Sequence, residues 1–146
     1  MFRTFDENNV ILTAGTPDVI SGATNGPWLK LNKYGRRITF LAAVGAAAGL
    51  SGNCVMIVQE ATSSAGANAA AISGKTGTFT ATTDAGKQGK ITVRMEDLIA
   101  GYPYVRAVLT PASGTPDTSI VAIISELYEQ QAAGTQNSGL AFNVGE

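Results

Sequence analysis

Apolar residues alternate with polar or small ones in short runs along most of the chain. "RITFLAAV" sets Ile38, Phe40, Ala42 and Val44 on one side, the period of two expected of a half-buried strand. "ITVRM" does the same with Ile91, Val93 and Met95, and "YVRAVLT" with Val105, Ala107 and Leu109. "VILTA" (10–14), "WLKL" (28–31), "CVMIVQE" (54–60), "TFTATT" (78–83) and "IVAIISELY" (120–128) bring the predicted strands to about eight. Turn-forming residues separate them: Gly15, Pro17 and Asp18, "NGP" at 25–27, a small-residue loop over 61–74, "DAGKQGK" at 84–90 and "PASGTPDTS" at 111–119. "EDLIAGYP" (96–103) breaks the alternation and has room for one helical turn. Short strands with turn signals every 8–12 residues predict an all-β sandwich or barrel.

The run from Phe40 to Val58 carries no charge and raises a second possibility, a membrane span. A spanning helix needs about 20 apolar residues, and Gly45 and Gly49 have the spacing of a helix-pairing motif. The middle of the run argues against it. Ser51, Gly52 and Asn53 would sit inside the hydrocarbon, the two flanks are β-formers, and no aromatic belt follows. Two strands joined by a small-residue loop is the expectation, with no membrane partner.

The ends of the chain differ from the middle. Residues 1–9 and 129–146 are polar, Gly-containing and aperiodic, yet they carry Phe2, Phe5, Leu140, Phe142 and Val144. They read equally as disordered ends and as arms that lay apolar residues on a partner. The expected organisation is an N-terminal arm (1–9), a sandwich (10–128) and a C-terminal arm (129–146).

With 146 residues the chain favours a single domain. Charged residues are only 14%, against about 25% in typical soluble domains, as expected of a surface partly covered by neighbours. The net charge of −1 gives no global attraction to nucleic acid. Histidine is absent and Cys54 is the sole cysteine. That removes Ser-His-Asp and Cys-His pairs, imidazole metal ligands and internal disulfides. The N-terminus lacks the basic-then-apolar pattern of a signal peptide, so synthesis in a cytoplasm is expected.

Four groups remain as candidate chemistry. Ala69, Gly74, Lys75 and Thr76 fit a relaxed phosphate loop, but a strand pattern follows where a helix is needed; an exposed loop lysine is the simpler expectation. Glu96 and Asp97 are adjacent, so in a strand they would face opposite ways. Capping backbone N–H groups or pairing with Arg94 or Arg106 suits them better than acid–base work. Lys30, Lys33, Arg36 and Arg37 interleave with Trp28 and Tyr34. Such a cluster grips phosphates or bases, meets an acidic protein, or is simply a solvated rim. Cys54 lies in an apolar strand and is expected to be a packed thiol.

The order "GPWLKLNKYGRRITFLAAVG", "VMIVQEATSSAGANAAAISGKTGTFT", "KITVRMEDLIAGYPYVRAVLTPA" resembles small virion proteins of tailed bacteriophages. "QEAT", "VRMEDL" and "YPYVRAVLT" carry most of the likeness, which spans 27–128 and leaves out both arms. It implies a jelly-roll-like sandwich that decorates the head. Such a protein sits on the outer capsid surface of the virion and cements neighbouring subunits of the major capsid protein against DNA pressure. The expected protein is a homo-oligomer, trimer or dimer, with no cofactor and no enzymatic activity. Phe2, Phe5, Trp28, Tyr34, Leu140, Phe142 and Val144 are its expected contacts. A tail or neck location and a glycan-binding sandwich using Trp28, Tyr34, Tyr102 and Tyr104 are the alternatives, and a hydrolase on Glu96 or Asp97 is the enzymatic one.

Overall fold

Alternating side chains make two sheets because each strand has one face to bury. The computed structural model of the chain describes residues 10–31, 35–45, 51–81 and 83–127. Nine strands lie among them: β1 (Val10–Val19), β2 (Thr24–Asn25), β3 (Leu29–Lys30), β4 (Gly35–Val44), β5 (Cys54–Ala61), β6 (Ala70–Phe79), β7 (Gln88–Arg94), β8 (Tyr104–Pro111) and β9 (Asp117–Leu127). One sheet has the order β1-β9-β4-β7. The other runs β2-β8-β5-β6, with β3 also on β8. All pairings are antiparallel.

The wiring is that of a jelly roll. β5 pairs with β6, β4 with β7, β2 and β3 with β8, and β1 with β9. These are successive rungs of one long antiparallel ribbon. Folding the ribbon over brings β4 against β9 and β5 against β8, which closes each sheet. β2 and β3 share one edge of β8 and act as a single strand broken at "GPW". Gly26 is required in that break. A Cβ there would lie 2.1 Å from the Ala14 carbonyl oxygen, while its N–H donates to the Ala107 carbonyl at 2.9 Å.

Most of the predicted inward residues form the observed core; of Ile91, Val93 and Met95 only Val93 is buried, the other two packing half-buried against the core. Ile38, Phe40, Ala42 and Val44 meet Cys54, Met56 and Val58 with Val105, Ala107 and Leu109, all buried between the sheets. Fully burying an aliphatic or phenyl side chain is worth about 1.5–3 kcal/mol. Summed over this layer, it is the term that opposes chain entropy. The uncharged run is the end of β4 and the start of β5 on separate sheets; its middle, 46–50, lies outside the described residues. No helix among the described residues is long and apolar enough to cross a membrane.

Some boundaries differ from the pattern. The expected strand at 78–83 ends at Phe79, and β6 instead begins at Ala70, inside the expected loop. The Asp84 carboxylate accepts from the Thr80 N–H at 2.8 Å, and the Asn53 side chain from the Ala81 N–H at 3.2 Å. Turn chemistry thus ends the alternation, while pairing to β5 extends a segment of weak β propensity. β1 likewise runs past its turn residues to Val19, absorbing them in register shifts on either side of Gly15. The helical turn is a 3-10 turn at Met95–Asp97.

Candidate functional site

The outer face of the five-stranded sheet gathers side chains scattered in sequence. Pro27 has no N–H to give a ladder, so the edge strand lapses between β2 and β3 and Trp28 sits in the gap. Leu29 pairs with Val105, and Lys30 with Tyr104. This register brings Trp28 beside Arg106, whose guanidinium carbon is 4.4 Å from the indole centroid. Arg106 is cross-strand from Gln59 and donates from Nε to Gln59 Oε1 at 2.8 Å. Lys30 Nζ stands 5.8 Å from the Tyr104 ring centroid, within reach of a cation–π attraction. Trp28, Tyr104 and Arg106 are half-buried and Lys30 is exposed.

The loop after β5 completes the mount. Gly66 adopts φ +79°, and a Cβ there would lie 2.5 Å from Trp28 Nε1, so glycine alone lets the loop lie on the indole. Thr62 and Ser63 tie the loop down: the Thr62 N–H donates to the Ala67 carbonyl at 3.0 Å, and the Ala67 N–H to Ser63 Oγ at 3.2 Å. Further along the same face stand Val55, Ile57 and Val108. Val108 is buried yet lies apart from the inter-sheet core. The result is a stiff cation–aromatic cluster beside an aliphatic strip.

The phosphate-loop residues do not form a loop. Gly74, Lys75 and Thr76 all lie in β6. Lys75 is not an exposed loop lysine. It donates to the Thr92 carbonyl at 2.9 Å and pairs with Asp97 Oδ2 at 2.8 Å, joining β6 to the segment after β7. Asp97 also accepts from the Arg94 N–H at 2.8 Å, and Glu96 is 3.5 Å from an Arg94 guanidinium nitrogen. The two carboxylates cap and pair, as their adjacency predicts. The Lys75 hydrogen bond, then that of the Arg94 backbone, hold the Asp97 carboxyl below its ordinary range against the opposing effect of burial.

Glu60 is a carboxylate that sequence reasoning left unassigned. It points into the sandwich at 3% exposure and accepts from the Ile99 N–H at 2.8 Å, pinning the segment before β8. Burial pushes the Cys54 thiol up, away from the reactive thiolate. No group of three or more metal-ligating side chains occurs among the described residues.

Of the sequence-predicted contacts, Trp28 lies on this face. Phe2, Phe5, Tyr34, Leu140, Phe142 and Val144 lie outside the described residues, as does Lys33. The basic cluster divides. Lys30 is on the five-stranded sheet, whereas Arg37 is on the other, bonded through Nε to Ser125 Oγ at 3.0 Å. Tyr102 lines a separate groove of about 270 Å³ with Ile99 and Leu98. Gln59, Gly66 and Arg106 were missed. Gln59 and Arg106 have outward parity in their strands, a signal that means little until the strands are paired.

No family model and no curated protein matches the chain. Among solved structures it is similar to PirA, at 10% identity over 85% of this chain and 96% of that one, with a TM-score of 0.42. It is also similar to the K1 cleaved adhesin domain of Lys-gingipain from Porphyromonas gingivalis, at 19% identity over 83% and 73%, with a TM-score of 0.40. The jelly-roll assignment rests on the strand order alone.

Proposed function

We propose that this protein is a structural adhesive module that binds another protein through the outer face of its five-stranded sheet, and that its target is the major capsid protein on the surface of a tailed-phage head. The observation that carries the reading is the cluster of Trp28, Tyr104, Arg106 and Lys30, held on paired strands beside Val55 and Ile57. Trp, Tyr and Arg are the residue types that dominate binding energy at protein interfaces, and rigid mounting lowers the entropy lost on binding. The sequence resemblance supplies the target. A sandwich spanning two capsid subunits must be detached before they separate, so its binding energy adds to the shell's resistance to internal pressure.

Co-sedimentation with expanded heads purified without this protein tests the reading. The wild type is expected to saturate the heads, and Lys30→Glu to weaken binding at least tenfold while keeping its strand content by circular dichroism. A wild type that does not pellet with heads, or a Lys30→Glu/Arg106→Ala double variant that binds as well as wild type, overturns it.

A further inference from the structure

The opposite face, on the four-stranded sheet, also lacks the polar coat of a solvent-facing layer. Leu41, Val121 and Ile123 point outward and are half-buried, with Ala43 and Thr39 between them. Thr39 and Thr92 hydroxyls bond each other at 3.0 Å instead of projecting a charge. Among the described residues, charge on this face is confined to the ends of the strands and to Lys90, which stands opposite Leu41 on the edge strand β7. Arg37 and Arg94 are paired side by side at one end, and Asp117 stands at the other beside Gly45. Leu41 and Val121 pair at the midpoint, four residues from Arg37 and Gly45 on β4 and four from Ser125 and Asp117 on β9.

We infer that this face is a homodimer interface in which two copies pack sheet to sheet about a twofold axis running across the strands through the Leu41–Val121 row. An isologous contact must be complementary to itself. Rotation about that axis reverses the strands, so the arginine end of one copy lies over the Asp117 end of the other. β4 faces β4, and Arg37 meets the partner's Asp117 one strand to the side, a lateral step of about 4.8 Å that a guanidinium spans easily. In the midpoint row Leu41 and Val121 pack against themselves, and Lys90, exposed on the edge strand, meets its own copy at the rim, where water screens the two charges. Aligned sheets pack about 10 Å apart at roughly 30°. Three strands of ten or eleven residues and the seven-residue β7 present a face about 19 Å wide and about 33 Å long, shortened to about 23 Å at the β7 edge. Two such faces bury about 1,200 Å², the lower bound of a standard specific interface.

The axis also sets how the dimer stands. β1 and the β2–β3 strand form one side of the sandwich, joined where Gly26 meets Ala14. The rotation leaves that side of both copies facing the same way, so the two Trp28–Lys30 edges lie on one side of the dimer. The outer faces of the two five-stranded sheets themselves point in opposite directions across the stacked dimer, so both stay exposed.

Sedimentation velocity of the isolated full chain tests the dimer without any capsid. The wild type is expected to be dimeric at tens of micromolar, and Val121→Lys to raise the dissociation constant more than tenfold. Arg37→Glu and Asp117→Arg are each expected to weaken the dimer, and the Arg37→Glu/Asp117→Arg double variant to recover it, because each contact pairs one substituted end with the other. Recovery cannot come from misfolding. A wild type monomeric up to a millimolar, a dimer indifferent to Val121→Lys, or a double variant weaker than both singles overturns the inference. So does a monomer whose head binding is lost in Val121→Lys, since the face would then belong to the capsid.

Discussion

Trp28 is the sole tryptophan, so its emission reports on the candidate site alone. Removing the guanidinium over the ring with Arg106→Leu should shift that emission and leave the far-ultraviolet dichroism unchanged. Gly66→Ala should do more. It forces a left-handed conformation on a side chain, costing about 1–2 kcal/mol, and drives a methyl into the indole; a lowered denaturation midpoint with altered emission is the expected result. Lys75 and Asp97 give a pH signature. The hydrogen bond from Lys75 lowers the Asp97 carboxyl in the folded chain, so the stabilisation is complete above the unfolded value of about 3.9 and fades as pH falls through the folded one. Lys75→Met should therefore lower the urea midpoint at neutral pH, and the gap from wild type should close as the pH falls through the lowered Asp97 value. A gap that persists below that value means the lysine acts through packing.

Strands in this fold are not equally secure. β4, β5, β8 and β9 each have a neighbour on both sides, whereas β6 and β7 have one. Apart from Lys75, β6 is also built from Ala, Ser, Gly and Thr around Ile72 and Phe79, and most of its residues are exposed. Its ladder should open at lower free energy than the central strands. Amide exchange followed by mass spectrometry should show β6 exchanging well before β5 and β8, and equal protection would contradict the argument. The same reasoning explains why β6 was misplaced in the sequence. Its alternation is faint, "TFTATT" next to it alternates better, and only the β5 partner decides which segment forms the ladder. Alternation in β4, β7 and β8 was legible because most inward residues there are large or β-branched, such as Ile38, Phe40, Val93, Val105 and Leu109, and most outward ones are polar or small, Leu41 and Val108 being exceptions.

Across the whole molecule, stability should follow the layer between the sheets. Phe40 is fully buried at its centre, and Phe40→Ala should cost about 3–5 kcal/mol in denaturant unfolding. A loss under 1 kcal/mol would mean that the sandwich can collapse around the vacated space. The two outer faces differ in chemistry. One carries cations and aromatics at an edge, the other an aliphatic field between opposite charges, and neither surface exists until strands distant in sequence are aligned.

The sequence by itself determined the strand class, the inward residues of the main strands, and the local capping by Asp97 and pairing of Glu96 with Arg94, because these depend on a period of two and on neighbours a few residues away. It also showed that histidine chemistry is absent. The tertiary structure alone decided the jelly-roll pairing, the clamp from Lys75 to Asp97, and the meeting of Trp28, Gln59, Gly66 and Arg106. Each joins residues from strands or loops distant in the chain, and cross-strand neighbours are fixed by register, a property of two segments together that neither one encodes alone.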